Sequence, residues 1–299
     1  MGKKGKDKER RKRDRSAEVV APPPRVSDRL RVPLGPVDLS AVSTAPGAGP
    51  TDREAAERAV AELAPRLAAL QEQLFAHGRS GGTRRLLLVC QGMDTSGKGG
   101  VMEHVVGLMD PQGCDITSFK APTPEELEHD FLWRIRRRVP EAGIVGVFDR
   151  SHYEDVLIAR VRSLVPRATV GRRYGQINRF EKQLTDSGVS LVKVMLHISA
   201  DEQKQRLLDR LDDPTKHWKY NPGDVDERAR WADYQQAYEL ALGKCSTEHA
   251  PWYVVPADAK WYRNWAITSL LVEHLEAMDL QWPPADFDVA AERARVEAS

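Results

Sequence analysis

Short apolar runs recur through the middle of the chain, each followed by a longer stretch in which apolar side chains return every three or four positions. The runs at 85–90, 115–119, 143–148, 189–196 and 252–255 read as strands. The stretches between and after them, 98–109, 124–138, 151–164, 172–187, 200–211, 225–243 and 259–278, read as helices. This alternation predicts an α/β fold, a parallel sheet flanked by helices on both faces. Upstream, Thr51-Asp52-Arg53-Glu54 has the composition of a helix start. Ala59, Leu63, Leu67, Leu70 and Leu74 then predict an amphipathic helix packed on the core. Residues 1–50 hold Pro22-Pro23-Pro24 and a loose Pro/Ala/Gly/Ser stretch, which predicts a flexible basic and Pro-rich tail ahead of one domain over 51–285. Residues 286–299 read as a C-terminal tail. The polar, Pro-bounded stretch at 213–222 reads as a mobile lid between two helices.

Composition narrows the function only a little. The chain has 299 residues, with 45 basic side chains against 44 acidic, so no global field points to nucleic acid. The first 16 residues differ, with nine lysines and arginines against three acids. Such a run either touches a polyanion or another subunit, or is a solvated terminus. No apolar stretch is long enough to span a bilayer, and no apolar signal core follows the basic start, so a cytoplasmic location with no membrane partner is expected. Three scattered cysteines exclude a disulfide framework or a zinc site, and Cys90 reads as a buried small hydrophobe.

The chemistry concentrates after the first strand. Leu86-Leu87-Leu88-Val89-Cys90 runs into Gln91-Gly92-Met93-Asp94-Thr95-Ser96-Gly97-Lys98-Gly99-Gly100, a strand ending in a glycine-rich turn that opens a helix. Backbone N–H groups and the helix dipole converge there, which makes a phosphate-binding loop. Gly92, Thr95, Ser96, Gly97, Lys98 and Gly99 are its phosphate-binding positions, with the Lys98 ammonium placed between phosphate oxygens. The strict pattern G-x-x-x-x-G-K-S/T fails at Gly99, where a magnesium-binding hydroxyl would stand. Asp94 would repel phosphate unless a cation lay between them, so it is a candidate metal holder; the alternative is a turn cap.

A second strand, Ile144-Val145-Gly146-Val147-Phe148, delivers Asp149 and Arg150 at its carboxyl end, where open α/β sheets bind ligands. Asp149 is either a metal or acceptor-positioning carboxylate or the N-cap of the next helix. Arg150 suits stabilisation of a transferring phosphoryl group. Tyr153, Glu154 and Arg160, just beyond, are candidate nucleotide contacts, although Tyr153, like Trp218 and Tyr220, is equally compatible with core packing. Lys120 with Arg134, Arg136, Arg137 and Arg138 forms a cationic concentration that either lines a polyanion track or is a solvated face. His197 reads as a core residue.

The segments GMDTSGKGG, FDRSHYEDVL, HWKYNPGD and STEHAPWYVVPADAKWYRN together resemble the polyphosphate kinase 2 family, in particular its subgroup acting on nucleoside mono- and diphosphates; the likeness covers about residues 55–285. The resemblance implies a P-loop kinase of thymidylate-kinase-like fold with a helical lid. It implies magnesium-dependent phosphoryl transfer between inorganic polyphosphate and AMP, ADP or ATP, with two magnesium ions held through Asp94 and Asp149. It also places Arg206 and Arg210 near phosphate and implies a homo-oligomer, a dimer or tetramer. Many relatives have Asn at the position of Asp149. The rivals are an ATP-dependent nucleotide kinase of the same fold and a P-loop NTPase that binds nucleic acid through the basic tail.

Overall fold

The computed structural model describes residues 25–299. Five strands, β1 (Arg85–Gly92), β2 (Cys114–Ser118), β3 (Val145–Asp149), β4 (Val189–His197) and β5 (Trp252–Pro256), form one parallel sheet in the order β2-β3-β1-β4-β5. The α helices among the described residues are α1 (Val26–Leu30), α2 (Arg53–Arg79), α3 (Lys98–His104), α4 (Pro124–Leu127), α5 (Trp133–Arg136), α6 (Ile158–Val161), α7 (Arg167–Asp186), α8 (Ala200–Asp212), α9 (Gly223–Arg228), α10 (Trp231–Cys245), α11 (Lys260–Glu276) and α12 (Val289–Glu297). Leu86 to Cys90 are all fully buried, as a strand covered on both faces requires. Leu86, Leu88 and Cys90 face the layer that holds α2, α3 and α11, while Leu87 and Val89 face α7 and α10.

Each expected strand forms within two residues of its predicted bounds. Four expected helices are broken. The stretch 98–109 ends as α3 at His104 and continues as a 3-10 turn at Val106–Leu108. The stretch 124–138 divides into α4 and α5, with Asp130 accepting from Leu132 N in the gap. The stretch 151–164 divides into a 3-10 turn at His152–Asp155 and α6, because the Ser151 side chain caps Tyr153 N and starts a tighter turn. The stretch 225–243 divides into α9 and α10 at Ala229–Arg230. The start of α2 follows expectation, with Asp52 accepting from Ala55 N at 2.8 Å.

The described part of the expected tail is not loose. Val26, Val32 and Leu39 are buried, and their segment crosses the β5 side of the sheet. Val26 N and Ser27 N donate to Glu273, Val32 N donates to Trp252 O, and Leu39 N donates to Glu239. Sparse apolar anchors therefore hold the segment once core side chains satisfy its backbone. Residues 286–299 contain a helix, α12, whose residues are mostly exposed. The basic run at the N-terminus lies outside the described residues.

Between β4 and the layer of α7 and α10 lies a charged group with no access to water. Lys193 Nζ donates to Glu181 Oε2 (2.6 Å), Tyr153 OH (3.0 Å) and Cys245 O (2.7 Å), which uses all three of its N–H groups. Glu181 Oε1 accepts from Tyr153 OH (2.7 Å) and lies 3.2 Å from His152 Nε2. All four side chains are fully buried. Tyr153 is thus a core residue that braces the chain just after β3, and the expectation that it contacts nucleotide is corrected by its burial. Cys90 is likewise buried, and burial pushes its thiol up to about 12.

Candidate active site

Strands β1 and β3 run side by side, pairing Cys90 with Asp149, so both deliver polar residues at the same carboxyl edge. After β1 the loop turns through Ser96 N to Met93 O (3.0 Å) and enters α3 at Lys98. Thr95 has φ 63° and Gly97 φ 107°, both left-handed. At Gly97 a Cβ would lie 1.8 Å from Arg263 Nη1, so conformation and space both demand glycine. The hydroxyls of Thr95 and Ser96 are buried with no hydrogen-bond partner among the described residues. Lys98 Nζ folds onto the loop, donating to Gly92 O (2.7 Å) and Met93 O (3.3 Å).

Asp94 and Arg150 meet across the crevice, Nη2 to Oδ1 at 3.0 Å. Arg150 has φ 64°, an unusual backbone for a non-glycine residue. The turn is tied by Arg150 N to Cys90 O at 3.1 Å. It is tied again by Gln91, whose amide oxygen accepts from Ser151 N (3.0 Å) and Ser151 Oγ (3.1 Å) while its nitrogen donates to Glu154 Oε1 (3.0 Å). Strain of this kind persists where surrounding bonds over-determine it, and it concentrates at functional sites. Burial works to lower the Arg150 pKa, but Glu154, Asp94 and Asp149 outweigh it and hold the guanidinium above its ordinary value. Burial raises Glu154, with Arg150 and Lys98 pulling it back.

Asp149 is engaged on one side only. Its Oδ2 accepts from Ser118 Oγ at 3.3 Å, whereas Oδ1 is buried with no hydrogen-bond partner among the described residues. A buried carboxylate oxygen left open is costly unless a cation or donor completes it, so the residue fits a metal ligand. Among the described residues no three or more His, Cys, Asp or Glu side chains converge on one point. A cation here would draw its other ligands from phosphate oxygens and water, which is how magnesium is commonly bound.

Several expected phosphate or nucleotide contacts have other duties. Arg206 is buried, and its guanidinium is consumed by Glu202 Oε1, Thr95 O, Ser96 O, Ala257 O and Asp258 O, all within 3.0 Å. It buttresses the back of the loop and has no N–H left for phosphate. Arg134 is buried too, donating to Lys120 O (2.9 Å) and Glu126 Oε2 (3.3 Å) over the Phe119 ring. Arg210 holds the expected lid, donating to Lys219 O (3.0 Å) and Asp224 Oδ2 (3.2 Å). Arg160 donates to Gln236 of α10 at 3.3 Å. Lys120, just past β2, is exposed at the same edge as the loop. Arg136, Arg137 and Arg138 lie where the chain descends to the start of β3, the opposite edge, with Arg136 paired to Asp130. His197 is buried, with Nε2 3.2 Å from Val42 O.

Three contributors escaped the motif reading. Asp224, at the start of α9, is raised by burial and by Asp94, against the pull of Arg210, Arg150 and Lys98. The helix that follows the expected lid thus brings a carboxylate into the field of the loop. Arg263, buried against Gly97, is lowered to about 10 by burial and by Arg206. Gln203 donates to Asp94 O at 3.0 Å. The spacing of Gln203, Arg206 and Arg210 was the available signal, since it puts all three on one helical face.

A family model for polyphosphate kinase 2 matches residues 50–283. The chain is 46% identical over 245 residues to an AMP/ADP-polyphosphate phosphotransferase of Meiothermus ruber, covering 82% of this chain and 90% of that one. It is 42% identical over 230 residues to an ADP-polyphosphate phosphotransferase of Rhodopseudomonas palustris, covering 73% and 78% respectively. The crystal structure of a polyphosphate kinase 2 from Arthrobacter aurescens TC1 superposes with a TM-score of 0.90 at 55% identity, over 92% of this chain and 98% of that one.

Proposed function

The chain belongs to the polyphosphate kinase 2 family, a phosphotransferase with the P-loop kinase fold, and we propose that it moves phosphoryl groups reversibly between inorganic polyphosphate and nucleotides, converting AMP to ADP and ADP to ATP with magnesium. One observation carries this reading: Asp94, Lys98, Asp149 and Arg150 gather at the carboxyl edge of β1 and β3, with an open carboxylate oxygen on Asp149.

Phosphoryl transfer asks the protein for position and charge more than for covalent chemistry. The N–H groups at the start of α3 and the Lys98 ammonium hold the donor's terminal phosphates, and Lys98 exchanges the loop carbonyls for phosphate oxygens. Arg150, kept charged by three carboxylates, lies where negative charge grows on the transferring group. Asp149, with Asp94, would hold magnesium, which would supply positive charge to neutralise the phosphate oxygens. Two bound reactants held in line need no phosphoenzyme.

The reading is tested by incubating purified protein with magnesium and long-chain polyphosphate, with AMP or ADP added separately and no ATP, and resolving the nucleotides by chromatography. ADP and ATP are expected products. Turnover that waits for ATP as donor would replace this reading with an ordinary nucleotide kinase.

A further inference from the structure

Gln203, Arg206 and Arg210 project from one face of α8 and divide the work between two neighbours. Arg206 holds the loop through Thr95 O and Ser96 O, and Arg210 holds the lid segment through Lys219 O and Asp224. Gln203 joins the loop to α9. Its side chain is buried, its Nε2 donates to Asp94 O at 3.0 Å, and its Oε1 accepts from Arg228 Nη1 at 3.2 Å. Arg228 is the last residue of α9, and the same nitrogen donates to Ala200 O at 2.5 Å, at the start of α8. The two partners fix the amide's orientation, because exchanging its oxygen and nitrogen would set oxygen against Asp94 O and nitrogen against a guanidinium.

The bond to Asp94 falls at a sensitive point. The next residue, Thr95, is left-handed, so the peptide that joins them stays in place only while outside groups hold it. The Asp94 side chain, which pairs with Arg150, takes its direction from that backbone. On the other side, α9 carries Asp224 into the field of Asp94 and Arg150. One buried amide thus joins the loop that positions phosphate to the helix that follows the lid segment.

We propose that Gln203 is a positioning residue for phosphoryl transfer, setting the backbone of Asp94 in register with α9 through Arg228. The proposal rests on the function given above, so its test keeps the two apart. Steady-state kinetics and thermal midpoints are measured for the wild-type chain, Gln203→Glu, Gln203→Met, Arg228→Met and the double variant Gln203→Met/Arg228→Met, with polyphosphate and ADP. Gln203→Glu keeps the acceptor for Arg228 but turns a carboxylate oxygen on Asp94 O. Its kcat should fall about tenfold while KM for each substrate stays within about twofold. The two Met variants cut the same bridge, so the double should lose little more kcat than the worse single variant.

A kcat for Gln203→Glu within about twofold of wild type overturns the proposal, as does a double variant whose loss is the product of the single losses. If Gln203→Glu does not fold, the Met cycle decides alone. A wild-type chain inactive with polyphosphate counts against the proposed function instead, and the same variants are then compared with ATP as donor, since the bridge serves any donor held on the loop.

Discussion

Lys98 differs from the surrounding cations in having chemistry left to give. Arg206 and Arg134 spend their guanidinium groups on the chain itself, whereas Lys98 rests on two loop carbonyls that phosphate can displace. Asp94→Ala and Lys98→Ala should each lower turnover by about 10² or more, in line with loss of one preorganised charge contact, with circular dichroism unchanged. A near-normal rate in either variant would contradict the site. Glu154 gives a second expectation, this time in stability. Burial raises its folded pKa above the ordinary 4.5, so in that interval the folded protein keeps a proton that the unfolded chain has released. The unfolding free energy therefore falls as pH rises through the interval, then levels off above the folded pKa. Glu154→Gln lacks this dependence, so thermal midpoints of the two proteins across pH should show the wild type losing ground to the variant as pH rises.

The loop and α3 show how one element assigns different burdens to neighbouring glycines. Gly97 is left-handed and lies against Arg263, while a Cβ at Gly99 would meet nothing within 4 Å. Gly97→Ala should destabilise by about 2 kcal/mol or more, since it adds left-handed strain to the displacement of a buried guanidinium. Gly99→Ala should be neutral or stabilising by up to about 1 kcal/mol, because it removes backbone freedom from the unfolded chain at the first turn of a helix. Urea unfolding of both variants checks the contrast. The motif reading already set Gly97, the glycine of the pattern, apart from Gly99, which stands where a hydroxyl is expected, but spacing records where glycines stand and not that Arg263 approaches one of them.

The arm over residues 25–50 turns composition into a question of packing. Pro, Ala, Gly and Ser dominate the segment, and nothing local makes it fold, yet Leu39 is buried against the α10 side of the core. Leu39→Ala should cost about 2–4 kcal/mol in urea unfolding, the ordinary price of a core truncation. A flexible tail would show no change. The same distinction separates Arg136, Arg137 and Arg138, which fall at the far edge of the sheet, from Arg150, which the parallel pairing of β1 and β3 carries to the loop.

The five strands, the glycine-rich turn into α3 and the carboxylate ending β3 were legible in the chain because each rests on a local cause. A both-faces-buried strand must be apolar throughout, and a phosphate turn needs glycine and lysine at short, set spacing. The duties of Arg134, Tyr153, Arg206 and Arg210 were not legible. Whether a guanidinium meets a ligand or the chain's own carbonyls depends on which segments face it, and those segments lie up to 111 residues away in the case of Arg206 and Thr95. Residue type and spacing stated what these side chains can do, and long-range packing settled which of their hydrogen bonds were already taken.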